Sequence, residues 1–139
     1  MLRFEPLDEL EDTSFLTLED VDLFHESVLK PEQLRGFKRK DDLLGAIGRP
    51  QNALAYEPSC DLVRVAAYYW HGISTSHGYI DGNKRTGFVC AVNFLLMNGV
   101  NFEAPDYPLG PLIEKLFEED RFELEILEDI LRRHCHWAT

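Results

Sequence analysis

Residues 83–98, NKRTGFVCAVNFLLMN, constrain this chain more than any other stretch. After a polar first turn the run is apolar almost all round, so as a helix it has little surface to offer water and must be packed on nearly every side. Asn98 and Gly99 supply a natural C-terminal stop. A chain of 139 residues normally makes one domain with a real core. The reading is therefore a single domain over 1–139, an all-α bundle built around this buried central helix.

The flanking segments supply its packing partners. Thr17 followed by Asp20 has the spacing of a capping box with Asp in place of Glu, and it precedes the periodic run VDLFHESVL, which predicts a first helix over 18–29. Pro31 and Gly36 end it, and DDLLGAI reads as a short helix. GRP at 48–50 marks a break, because a proline disfavours helix at the residue before it. Residues 51–58 then read as irregular or as a small hairpin, and a strand pair, if the chain has one, is expected at 50–58. CDLVRVAAYYWHGIS reads as a buried helix with Asp61 near its start and Gly72 near its end. Two further helices, over 111–119 and 122–136, complete an all-helical chain with short connections and no internal repeat.

Composition narrows the function classes. Hydrophobic residues at 45% and charged residues at 28% fit a soluble globular protein, and no stretch offers the apolar span a bilayer helix needs. The start MLRFEPLDELED turns acidic at once and lacks a basic segment followed by an apolar one, so no secretory signal is expected and the cytoplasm is the expected compartment. Cys60, Cys90 and Cys135 are an odd number without metal-like pairing and read as free thiols. A formal net charge of -11 opposes binding to nucleic acid, whose phosphates select basic surfaces. The acid is concentrated in EPLDELED and EKLFEEDRFELEILEDI, both read as solvated helix faces. Cations gather instead in the middle, in RGFKRKDD and GNKR.

The second of these cation groups lies within HGYIDGNKRTG, residues 77–87, at the entrance of the central helix. A helix N-terminus offers unpaired N–H groups and partial positive charge, an anion site. Gly82 lets the backbone turn closely, Asn83 can cap or hold the turn, Lys84 adds a point charge, and Arg85 can grip two phosphate oxygens with its planar fork. Asp81 stands beside this cradle as a single carboxylate, and Mg²⁺ commonly binds through one or two carboxylates together with substrate phosphates. The anion fits a polyphosphate, and a metal–nucleotide fits this set better than a bare metal. His77, four residues before Asp81, can take a proton from an incoming hydroxyl. The set suits group transfer.

Other polar residues receive structural readings. His134, Cys135 and His136 in RRHCHWAT are neighbours on a helix and point in different directions, so no metal is assigned there and a fraying C-terminal helix is expected. Cys90 reads as a small core residue, Tyr68, Tyr69 and Trp70 as packing residues, and His25 and His71 as structural histidines.

Taken in order, His77, Tyr79, Asp81, Gly82, Asn83, Lys84, Arg85 and Thr86 resemble the motif of the Fic/Doc superfamily, in the variant of its death-on-curing toxin branch. The likeness extends as a pattern from LTLEDVDLFHE through GRPQNALAY to LLMNG. It implies a compact Fic/Doc-like helical bundle, with the motif loop at the N-terminus of the central helix and a flap near 49–57 that aligns a protein target. It further implies His77 as general base on a target Ser, Thr or Tyr hydroxyl, and Asp81 as the Mg²⁺ ligand on ATP. Gly82 and Asn83 would form the anion hole, with Lys84 and Arg85 on the phosphates.

This chain departs from the familiar pattern in two ways. Tyr79 stands where phenylalanine is usual, so its hydroxyl needs a partner. Lys84 stands where the adenylylating branch keeps glycine, and Phe88 where that branch has a second arginine. A lysine in the cradle adds bulk and charge, so transfer of the γ-phosphate is expected in preference to AMP transfer. The death-on-curing branch further implies a translation elongation factor as target and a type II toxin–antitoxin system. No Ser/Thr-led glutamate motif blocks the site in cis, so a separate antitoxin filling a groove is implied. Two alternatives stand beside this reading: AMP transfer by the same site, and a catalytically silent helical protein-binding module. The presence of both His77 and Asp81 disfavours the module.

Overall fold

The computed structural model describes residues 2–6 and 13–138. Thr17 starts helix α1 (Leu18–Val28) with a complete capping box: the Asp20 N–H donates to Thr17 Oγ1 at 3.2 Å, and the Thr17 N–H donates to Asp20 Oδ2 at 2.9 Å. Helices α2 (Lys40–Tyr56), α3 (Leu62–Thr75) and α4 (Asn83–Met97) follow. Strand β1 (Val100–Phe102), helices α5 (Leu109–Glu118) and α6 (Leu124–His134), and strand β2 (Cys135–Trp137) complete the order. The fold is all-α with one small sheet. Among the described residues, no helix is long and apolar enough to cross a membrane.

Helices α3 and α4 make the centre together. Nine residues of α3 are buried, Tyr69, Trp70 and Ile73 fully so, and α4 buries Cys90, Ala91, Phe94 and Leu95 against it. A Cβ at Gly87 would lie 2.2 Å from Ser74 Oγ and 2.7 Å from the Trp70 carbonyl oxygen, so only glycine lets the start of α4 approach α3 this closely. The last turn of α4 reaches the surface, where Leu96 and Met97 are exposed.

The hairpin expected at 50–58 is absent. Helix α2 runs through Pro50 to Tyr56, and the flap expected near 49–57 is this helix's last turns. Proline removes one N–H and crowds the carbonyl four residues back. Pro50, Ala53 and Leu54 are all buried on the core side, and that apolar burial offsets the lost bond. The strand pair lies elsewhere, with Val100, Asn101 and Phe102 opposite Trp137, His136 and Cys135 in an antiparallel register.

Consequently the last helix stops at His134, and the C-terminal residues expected to fray from it form the strand β2. Cys135 is buried and His136 exposed, as alternation along a strand requires. The run EPLDELED falls mainly outside the described residues, whereas Glu118, Glu119, Glu123, Glu125 and Asp129 of the C-terminal acidic run are solvated.

Candidate active site

The loop between α3 and α4 is held in a shape that few side chains tolerate. His77 has φ 55 and Gly82, the N-cap of α4, has φ 86, both left-handed. Gly78, between His77 and Tyr79, has no room for a side chain, since its Cβ would lie 2.5 Å from Leu43 Cβ. Asn83 holds the turn and does not cap the helix: its Nδ2 donates to the Tyr79 carbonyl at 2.9 Å, and its Oδ1 accepts the Tyr79 N–H at 3.0 Å. Thr86 Oγ1 closes the first turn on the Gly82 carbonyl at 2.7 Å.

Gly82 offers no capping side chain, so the N–H groups of Asn83, Lys84 and Arg85 have no partner among the described residues. They open on a cleft of ≈ 600 Å³ that His77, Asp81, Gly82, Asn83, Lys84 and Arg85 all line, with Lys30, Ser74, Glu114 and Phe117 among the remaining walls. All six residues expected from sequence to form the site are thus brought together. A second groove of ≈ 620 Å³, lined by Val28, Phe88, Val89 and Ile113, shares Lys84, Arg85 and Glu114 with it.

Within the cleft the charges are held unequally. Asp81 Oδ2 accepts the Leu34 N–H at 2.7 Å, which orients the carboxylate. Lys84 Nζ stands 4.1 Å above the Phe117 ring and 4.0 Å from Glu114 Oε2, so α5 draws this cation to its own wall. Arg85 makes no ion pair with any described residue. Among the described residues no group of three or more His, Cys, Asp or Glu is placed to hold a metal. With Glu114 turned to Lys84, Asp81 beside the cations suits a Mg²⁺ that brings phosphates as its other ligands, and does not suit a metal caged by protein alone.

The tyrosine hydroxyl finds its partner. Tyr79 donates to Asp22 Oδ1 on α1, and its ring is stacked between His25, 3.6 Å away, and Phe37, 5.3 Å away. Burial first, and then the Asp22 carboxylate, push the Tyr79 hydroxyl well above its ordinary pKa, so it stays a donor. The segment 36–38 runs antiparallel to the loop, with the Lys38 N–H on the Gly78 carbonyl at 2.8 Å and the Ile80 N–H on the Gly36 carbonyl at 3.0 Å.

A family model for the Fic/DOC family matches residues 15–95, which take in α1 to α3, the whole loop and all but the last two residues of α4. The chain belongs to the Fic/DOC family. It is also 43% identical over 61 residues to a protein kinase named doc from Escherichia phage P1, in agreement with the death-on-curing branch that the motif resembles. That match covers 43% of this chain and 48% of the phage protein, so the chain spans about half the length of that relative.

Against the family motif, sequence reasoning missed the residues that hold the loop from outside. His25 and Asp22 on α1 and the Leu34 N–H touch the loop, and Glu114 with Phe117 on α5 touch Lys84 just after it. One signal was available: His25 is four residues beyond Val21, on the buried face of an amphipathic helix. The backbone N–H of Leu34 gives no such signal. The cysteines take no part, being buried thiols raised to about 12 at Cys60 and Cys135 and raised likewise at Cys90.

Proposed function

We propose that this chain is a toxin of the death-on-curing type that transfers the γ-phosphate of ATP to a hydroxyl side chain of a protein. The observation that carries the reading is Lys84 in the first turn of α4, which lines the same cleft as His77 and Asp81. A lysine there narrows the path for a nucleotide's phosphates past the helix start, and it places a cation beside the transferring group. The phage relative's name, protein kinase doc, agrees with phosphate transfer.

In this reading His77, exposed at the cleft rim, accepts the proton of a target Ser, Thr or Tyr hydroxyl. The hydroxyl oxygen bonds to the γ-phosphorus as the bond to the β–γ bridging oxygen breaks, and ADP leaves. Asp81 would hold Mg²⁺ on the phosphates, where the bound ion neutralises their charge. The N–H groups of Asn83, Lys84 and Arg85 are aimed where phosphate oxygens gather, and Arg85, without an ion-pair partner among the described residues, is available to grip them. The target is a cytoplasmic translation component, an elongation factor by the likeness to the death-on-curing branch. A separate antitoxin restrains the site by filling the apolar groove beside Arg85.

ATP labelled at the α or the γ phosphorus, incubated with the protein and a host lysate, tests this reading. Only the γ label should pass to protein, on a hydroxyl side chain. Transfer of the α label would establish AMP transfer and sink the kinase reading. No transfer of either label, together with harmless expression, would favour the silent module. Lys84→Gly should slow γ transfer through lost electrostatic stabilisation, and a variant that starts to transfer AMP would show that this residue selects the chemistry.

A further inference from the structure

We infer that His25 is a positioning residue for this site, fixing Asp81 and the start of α4 through one main-chain hydrogen bond; the inference rests on the functional reading above. His25 is 4% exposed, and its Nε2 lies 2.8 Å from the carbonyl oxygen of Asp81. A carbonyl only accepts, so Nε2 carries the proton and donates it. The ring is parallel to that of Tyr79 within 4°, at 3.6 Å. It also forms the wall behind Gly82, where a Cβ would meet His25 Cδ2 at 3.4 Å and Leu29 Cδ1 at 3.3 Å.

His25 therefore touches the loop at three points: Tyr79, Asp81 and Gly82. It stacks on the residue that anchors the loop in the core, it bonds the main chain of the carboxylate, and it backs the left-handed glycine that aims the α4 N–H groups. Asp22, one turn earlier on the same face of α1, holds the Tyr79 hydroxyl, so the two α1 side chains brace the loop from one side. The Leu34 N–H in turn holds Asp81 Oδ2. Asp81 is thus held by one bond at its main-chain carbonyl and one at its carboxylate. Filling space would need only an aromatic ring; the donor is what distinguishes a histidine here.

Two variants separate the donor from the ring. His25→Phe keeps a stacking ring and removes the N–H, while His25→Gln keeps a terminal N–H donor and removes the ring. Amide hydrogen exchange at Leu34, read by NMR on the nucleotide-free protein, reports the Asp81 carboxylate directly, and the amides of α3 report the fold. His25→Phe should speed exchange at Leu34 about tenfold, the scale of one hydrogen bond, with α3 amides still protected. His25→Gln should stay close to wild type. With ATP and target present, kcat should fall about 100-fold in His25→Phe, the scale of a misplaced group, with KM for ATP changed far less, and should recover in His25→Gln. If the phenylalanine variant does not fold, His25→Leu takes its place as the donor-free variant. Equal Leu34 exchange in wild type and the donor-free variant overturns the proposal, as does a glutamine variant no better than the donor-free one in both readouts. A wild-type protein that transfers no phosphate overturns the functional reading alone, since exchange is read without nucleotide.

Discussion

Helix α3 carries charge at both of its ends, and the two ends treat it oppositely. At its N-terminus Asp61 is wholly buried, yet its oxygens take Arg132 twice, at 2.8 and 3.0 Å, together with the Phe4 N–H at 2.8 Å and the Arg64 N–H at 3.1 Å. Arg132 in turn reaches the Leu2 carbonyl and Glu128, so the pair pins the N-terminal segment and α6 to the start of α3. Beyond the C-terminus of α3, His77, Lys84 and Arg85 are exposed, and Asp81 is half-buried with one oxygen bound. Charges at the first end are satisfied by one another, whereas those at the second line one cleft and are only partly paired. Both ends use Asp, Arg and helix starts, so it is the satisfaction of the groups that separates architecture from chemistry.

The largest effects should break this comparison if it is mistaken. His77→Ala should lower transfer by about 10²–10⁴-fold, the range for a general base, while leaving the fold and ATP binding nearly intact. A variant that transfers at the wild-type rate removes His77 from the chemistry. Arg132→Ala should do the reverse. Breaking a buried pair by removing one partner costs about 3–5 kcal/mol, readable by urea denaturation, while transfer per folded molecule stays unchanged. Loss of transfer in fully folded Arg132→Ala would join the two ends that the comparison separates.

Acid should sharpen it. Burial alone would raise the Asp61 carboxyl, but Arg132 and the N–H groups of Phe4 and Arg64 outweigh it and hold the group below the usual carboxylate range. A carboxyl depressed in the folded state contributes stability that is complete above its unfolded pKa, near 4, and is lost as pH falls toward the folded value. Stability should therefore decline below about pH 4, and Asp61→Asn, less stable at neutral pH, should decline less steeply. Parallel curves for the two proteins would place the acid sensitivity elsewhere.

How legible this was in the sequence follows the same division. Thr17 with Asp20, the buried run of α3 and the apolar α4 are local signals, and they gave their helices to within a residue or two. The site residues fall within positions 77–85, the loop and the first turn of α4, so they were legible as a set. Pro50 misled because a proline's local cost was read without the buried face that offsets it. The β1–β2 pair was invisible because its two segments are three residues each and are brought together from positions 100 and 137. His25 and Leu34 act on the site from 56 and 47 residues away, a separation across which no periodicity carries information.

Asp81→Asn comes next in size. Removing the one protein charge from the Mg²⁺ ligand set should raise the Mg²⁺ concentration needed for half-maximal transfer about tenfold, with the Leu34 bond kept because Asn retains an accepting oxygen. An unchanged Mg²⁺ titration removes Asp81 as the ligand.

The smallest effect concerns the one cation of the cleft that is partly engaged. Glu114 Oε2 is 4.0 Å from Lys84 Nζ, with both side chains about half exposed, so the pair is worth little to stability. Its position matters more than its strength, because Glu114 forms part of the cleft wall and adds a negative charge where phosphates would enter. Glu114→Gln should leave stability unchanged within measurement and tighten ATP binding, by at most about fivefold, the upper end for an exposed pair. Phe117 still holds the Lys84 ammonium after this change, which is why the gain is small. The gain should also shrink as salt is raised from low to physiological strength, since exposed charges are screened over about 8 Å there. An affinity that is unchanged at low salt would show that Lys84 is already free to meet the phosphates, and that α5 is only a wall.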